Sequence, residues 1–299
     1  METRSQAPTG LARRGRRLSD HDTEQRMLKA AVAMVNRSGL TVSLDHISFE
    51  DVIRDADVSR SAVYRRWPYK DLFFSDLVKE LAQAAIPTPA DNEAIARLFR
   101  DVVAERRAWL ETPELRHGLV LELLRRASLL DFQTLYASAE WRTYIALHAT
   151  FMSLAEGELR DQVQATLAQS ERGFIGRVAA SWELLCGVFG YRLRRELGAN
   201  FETLATLLSA NVRGLTVMAL SLPGLADDRA PARPFGAAGE EEWSLPALGA
   251  AAIASAFLEP DPSLTWDEDR VTRLYEALSS LAAQRQVLAH DHAVLGLGP

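Results

Sequence analysis

Cysteine is almost missing from this 299-residue chain. The single Cys186 excludes an internal disulfide and any zinc cluster built on several thiolates. Within Ser181–Phe189 (SWELLCGVF) it reads as a small core residue, with a redox sensor as the sharper alternative. The familiar signatures of nucleotide and hydrolytic chemistry are also lacking: there is no G-x-G-x-x-G, no P-loop, no G-x-S-x-G and no H-E-x-x-H. No catalytic residue and no cofactor is therefore expected. His290-Asp291-His292, near the C-terminus, reads as a solvated end rather than a metal site. No apolar run looks long enough to cross a membrane, and METRSQAPTGLARRGRR at the start lacks the apolar core of a signal peptide. A cytoplasmic protein without a membrane partner is the expectation.

Net positive charge is lacking as well, since the chain carries a formal −6, which at first argues against nucleic acid. The distribution argues otherwise. Residues 1–80 hold 14 Lys and Arg against 12 Asp and Glu, leaving 20 against 28 for residues 81–299. A mildly basic head on an acidic body suits a protein that touches DNA at one end. At 47% hydrophobic and 25% charged, the chain has room for two domains and a sizeable core.

What is present centres on SFEDVIRDADVSRSAVYRRW, residues 48–67. Ser48 is placed to N-cap a short helix, Asp51 takes the capping-box position, and Phe49, Val52, Ile53 and Ala56 form one apolar stripe. Asp57 stands where the chain must turn, because Asp tolerates a left-handed backbone, and Val58 plugs the corner. Ser59 can cap a second helix that Pro68 stops. With Ala62, Val63 and Trp67 inward, Arg60, Ser61, Tyr64, Arg65 and Arg66 are left outward, a surface suited to groove edges and phosphates. Two short helices joined by a tight turn make a helix-turn-helix.

These residues resemble the tetracycline-repressor (TetR-like) family of bacterial transcription factors. The resemblance is carried by Ser48, Val52-Ile53, Ala56-Asp57-Val58-Ser59, Ser61-Ala62-Val63-Tyr64, Trp67 and Lys70-Asp71-Leu72-Phe73, and covers roughly residues 20–85. Asp57 departs from the usual Gly, and the loop from Gly39 to Ile47 is a few residues long for the family. The resemblance implies an all-α fold: a three-helix DNA-binding head and a larger helical bundle that binds an effector and dimerises. Late helices of such proteins form a four-helix bundle between two copies.

Taken in order, residues 1–19 form a basic arm, disordered when free, with Arg13, Arg14, Arg16 and Arg17 available to a DNA backbone or minor groove. Residues 20–86 are the helix-turn-helix domain. Its first helix spans Asp20 to Ser38 on Met27, Leu28, Ala31, Val32 and Val35, and a fourth starts after Pro68 and runs to about Ala85. Ile86-Pro87-Thr88-Pro89 marks the domain boundary. Residues 90–299 are the effector-binding and dimerisation domain, with no convincing strand. Helices are predicted near 91–110, 114–130, 133–150, 153–169, 171–197 and 200–221, then an exposed loop near 225–243, then helices over 245–258 and 266–289. Leu208 and Val212 are expected on an outward dimer seam. Trp109, Trp141, Tyr144, Phe151, Phe174, Trp182 and Phe189 could line an effector pocket, although each alone reads as ordinary core.

The reading is a homodimeric regulator, a repressor that binds a double-stranded, pseudo-palindromic DNA operator and answers to an unidentified small-molecule effector. Arg60, Ser61 and Arg65 are the base-edge candidates; Ser48, Tyr64 and Lys70 are the phosphate candidates. The alternative is a dimeric DNA-binding protein controlled by a protein partner, without an effector. A helical enzyme with a vestigial head is a third class, and it would need clustered titratable groups in the body.

Overall fold

The described residues open on α1 (Asp20–Ser38), where Ser19 and Asp22 cap each other reciprocally, the Ser19 Oγ accepting from the Asp22 amide at 3.0 Å and the Asp22 carboxylate from the Ser19 amide at 3.2 Å. Then come α2 (Phe49–Asp55), α3 (Arg60–Arg66) and α4 (Lys70–Ala84). The body follows as α5 (Asn92–Glu105), a 3-10 turn, α6 (Pro113–Ala137), α7 (Ala139–Ser153) and α8 (Glu158–Phe189). Next are β1 (Tyr191–Leu193), α9 (Phe201–Ser221), the short α10 (Gly224–Asp227), β2 (Ala230–Ala232), β3 (Glu241–Trp243), α11 (Leu245–Phe257) and β4 (Leu258–Pro260). The last helix among the described residues, α12, covers 268–279. This computed structural model describes residues 19–38, 47–84 and 92–279. The fold is all-α, and the strands are short antiparallel ladders that staple loops rather than form a layer.

The body corrects the sequence reading in several places. The break expected near residues 131–132 lies at Ser138, whose hydroxyl accepts from the Trp141 amide at 3.0 Å and so caps α7. The two helices expected over 153–169 and 171–197 are one helix of 32 residues, α8, because its flank packs on α4, α7 and α9 and compensates for Gly173 and Gly176. It ends at Gly190, whose φ of +72° is a left-handed stop. The chain then turns into β1 and pairs with β4, with Arg192 bonded to Glu259 across the ladder at 2.9 Å. Strands were not expected at all; three-residue ladders are too short to show a period-2 pattern.

Residues 225–243, expected as an exposed loop, hold α10 and the β2–β3 ladder, and they end in a Trp243 that is only 2% exposed. Trp243, Ala247, Ala251 and Leu258 pack on Leu121, Leu204 and Leu208 in one core cluster, while Leu274 and Leu278 complete another with Phe99, Val103 and Phe189. The alanine-rich α11 lets helices approach closely: a Cβ on Gly249 would collide with the Asn211 side chain. Arg125 adds a polar tie from α6, bonding Glu122 and the Glu242 carbonyl.

Leu208 therefore faces inward, at 8% exposure, and is not a seam residue; Val212 is half-buried. By length and composition α9 is long and apolar enough to cross a membrane, contrary to the expectation that no such run exists. In the fold its Leu204, Ala205, Leu208, Thr216 and Ala219 are buried, and Arg213 within it pairs with Glu171. The head does not stand apart, because its core (Met27, Val52, Val63, Trp67, Phe73, Leu77) runs on into Leu147 of α7 and Val163 and Leu167 of α8.

If the segment after α10 is structural, Leu274→Ala destabilises the protein by about 2–5 kcal/mol, as for other fully buried leucines. Urea unfolding checks this; a midpoint unchanged from wild type would make the segment a mere appendage.

Candidate nucleic-acid interface and body site

Two serine caps and one left-handed residue set the shape of the helix-turn-helix. The Ser48 hydroxyl accepts from the Asp51 amide and the Ser59 hydroxyl from the Ala62 amide, each at 3.3 Å. Between the helices Asp57 has φ +52°, the turn conformation that its side chain tolerates. Val63 and Trp67 are fully buried. Trp67 packs edge-on against Phe73 at 5.1 Å and donates its indole N–H to Asp76 at 2.9 Å, which fixes α3 on α4.

This anchoring leaves Ser59, Arg60, Ser61, Tyr64 and Arg65 exposed along one side of α3, with Ser48 and Lys70 exposed at the starts of α2 and α4. Arg66 differs from the others. Its guanidinium bonds Glu24 at 3.1 and 3.3 Å and Asp76 at 3.4 Å and lies 5.1 Å over the Trp67 ring, so it braces the head internally. Arg13, Arg14, Arg16 and Arg17 lie outside the described residues, as do the loop 39–46 and the His290-Asp291-His292 run.

A carboxylate that the sequence reading overlooked governs the exposed row. Glu50, second residue of α2, pairs with Arg60 at 2.7 Å and accepts from the Tyr64 hydroxyl at 3.2 Å; Arg65 is paired with Asp20. The Glu50 bond raises the Tyr64 phenol above its ordinary pKa, so it stays protonated and able to donate. No local periodicity pairs Glu50 with a residue ten positions later across a turn. A basic side chain after a sharp corner, with an acid in the first turn before it, is the one usable signal.

The seven aromatic candidates in the body do not line one pocket. Trp109 and Phe189 pack in the core of α5, α6 and α12, and Trp182 packs against the core of α6, α9 and α11. Phe151 lies against the head's core with the Arg160 guanidinium 4.8 Å over its ring. Trp141, Tyr144 and Phe174 do converge. Trp141 and Tyr144 stack at 5.0 Å, and Arg213 of α9 lies 5.5 Å from each of those rings and 4.4 Å from Phe174. Glu171 holds Arg213 Nη1 at 2.7 Å. His148 sits 4.2 Å from Tyr144, its pKa lowered by burial and by the Arg213 charge. Cys186 is buried, and burial pushes its thiol up to about 12, which leaves it protonated and unreactive at neutral pH. A separate open groove of about 350 Å³ lies where α4 crosses α8, beside Gln83, Gln169 and Arg177.

Comparison with known proteins places the similarity in one part of the chain. No protein-family model matches it. An uncharacterised HTH-type transcriptional regulator of Mycobacterium tuberculosis is 33% identical over 84 residues, 28% of this chain and 42% of that protein. A counterpart from Mycobacterium bovis matches to the same extent. The HTH-type transcriptional regulator AqdR of Rhodococcus erythropolis is 29% identical over 89 residues, 30% of this chain and 41% of its own length. The chain thus spans less than half the length of these relatives. Over the matched part it is similar to helix-turn-helix transcriptional regulators.

Because Glu50 neutralises Arg60, Glu50→Gln is expected to strengthen binding to arbitrary duplex DNA by about fivefold, the equivalent of about 1 kcal/mol for an exposed ion pair. Fluorescence anisotropy at low and moderate salt measures it. Weaker binding would show instead that Glu50 positions Arg60 for contact.

Proposed function

We propose that the protein is a homodimeric, DNA-binding transcriptional repressor of the TetR-like kind, acting in the cytoplasm and released from a pseudo-palindromic operator by a small-molecule effector. The observation that carries this reading is the exposed row Arg60, Ser61, Tyr64 and Arg65 on a helix whose opposite side is locked into the core by Val63 and Trp67. Such a helix presents N–H donors in a fixed frame, as major-groove reading requires. Residues 20–86 form the head, and 90–299 the effector-binding and dimerisation domain. Arg60, Ser61 and Arg65 read base edges, while Ser48, Tyr64 and Lys70 contact phosphate; Ser59, at the start of α3, belongs to the same DNA-binding surface, and Arg13, Arg14, Arg16 and Arg17 add a basic arm.

Dimerisation uses the outer face of α8 and α9. Leu184, Leu207, Val217 and Met218 are exposed there, at 40–51%. Gly176, Gly187 and Gly214 have open space where a side chain would sit, which suits close helix approach by a second copy. Two heads held by one rigid body gain affinity without new contacts. An effector acts by preferring one separation of the heads, and α4 links them to the body through α8. The alternative, control by a protein partner, draws support from the closed packing around Trp182 and Phe189.

Arg65→Ala costs about 1–3 kcal/mol of operator affinity and relaxes preference at one base pair. A panel of operator variants tests this; a uniform loss across the panel would assign Arg65 to phosphate. Met218→Glu places charge in the seam, so sedimentation shows a monomer and operator binding falls with it. Dimers that persist in this variant would place the seam elsewhere.

A further inference from the structure

Where α7, α8 and α9 meet, three buried hydrogen-bonding atoms find no partner among the described residues: Trp141 Nε1, Tyr144 Oη and Arg213 Nη2. Trp141 is 5% and Tyr144 8% exposed, so neither polar tip has ready access to bulk water. The two rings each lie 5.5 Å from the guanidinium that carries the third atom. An indole N–H and a guanidinium N–H are donors only, and a phenol O–H can donate alongside them. Unpaired buried donors are costly, and folded proteins rarely keep several together without a use. What they jointly lack is an acceptor.

The surroundings narrow that acceptor. Glu171 takes both its bonds from Arg213 Nη1 and leaves Nη2 to the aromatic side. His148 Nδ1 lies 2.9 Å from the Tyr144 carbonyl, which orients its N–H there and turns the ring's other nitrogen away from donating. The surrounding groups are flat: Trp141 and Tyr144 lie 18° from parallel, and the Phe174 ring lies 4.4 Å from the guanidinium. Arg213 and Glu171 keep 18% and 31% side-chain exposure, so the polar edge of the cluster reaches solvent.

We infer that this junction binds a flat aromatic carboxylate. Its carboxylate oxygens accept from Arg213 Nη2, Trp141 Nε1 and Tyr144 Oη, and its ring lies against the Trp141 and Phe174 faces. Planar oxyanions suit a guanidinium edge, and aromatic surfaces favour a planar body. The inference rests on the ligand-responsive reading only for its consequence on DNA, since binding itself is measured without DNA.

Calorimetric titration of the full-length protein with benzoate, salicylate and 2-naphthoate, and with 2-naphthamide as a neutral match, tests it. At least one carboxylate saturates with one site per chain below about 1 mM, and the amide binds about tenfold more weakly. Arg213→Gln abolishes that binding. Tyr144→Phe, which keeps the ring, weakens it about tenfold with an unchanged melting temperature, so the outcome is readable even if the arginine variant misfolds. No saturation by any carboxylate, or equal binding by the Tyr144→Phe protein, overturns the proposal. Carboxylate binding that leaves operator affinity unchanged keeps the site and removes its regulatory role. Operator release by another compound, with no carboxylate bound, removes the site and keeps the regulator.

Discussion

The head depends on how Trp67 is held. A fully buried indole at the end of a seven-residue helix does what the helix cannot do for itself, because so short a segment is unstable without tertiary packing. Its ring meets Phe73, its N–H is satisfied by Asp76, and the Arg66 guanidinium covers it while bonding Glu24 and Asp76. One side chain thereby ties α3 to α4, and the arginine beside it ties both to α1. The exposed row on α3 is rigid because its reverse side is.

The same helix α4 carries this rigidity into the body. Leu77 and Leu81 share a core with Val163 and Leu167 of α8, so the head's position follows that of α8. The body is closed at its far side by the segment after α10, which supplies Trp243, Leu258, Leu274 and Leu278 to cores that α5, α6 and α9 would otherwise leave open. Against this packed background the unsatisfied donors around Arg213 stand out, since most other buried polar groups nearby have found partners: Thr150 bonds the Ala146 carbonyl and Thr216 the Val212 carbonyl.

Much of the head was legible in the sequence because its determinants are local. Ser48 and Ser59 cap where their residue type says they should, and Asp57 takes the left-handed turn. The body was less legible because its determinants are distant. Gly190 ends α8 with a local left-handed stop, but the strand after it pairs with β4 nearly seventy residues later, and nothing near Tyr191 announces that pairing. Alanine and proline between 225 and 243 suggest a solvated loop, yet Trp243 turns it into a core element. Leu208 and Leu207 are equally apolar neighbours; which of them faces inward is decided by α11, not by α9. For the same reason only Trp141, Tyr144 and Phe174 of the seven aromatic candidates came together. The residue that gathers them, Arg213, is polar and lies on a different helix, so no aromatic pattern points to it.

The most direct test of the account is selection of bound sequences from a random DNA pool, followed by the mass of the protein–DNA complex on the selected duplex. Two copies of α3 on one body predict an inverted repeat whose half-sites are separated by about one helical turn or a multiple of it, occupied by at least two chains. A single non-repeated site carrying one chain would contradict it.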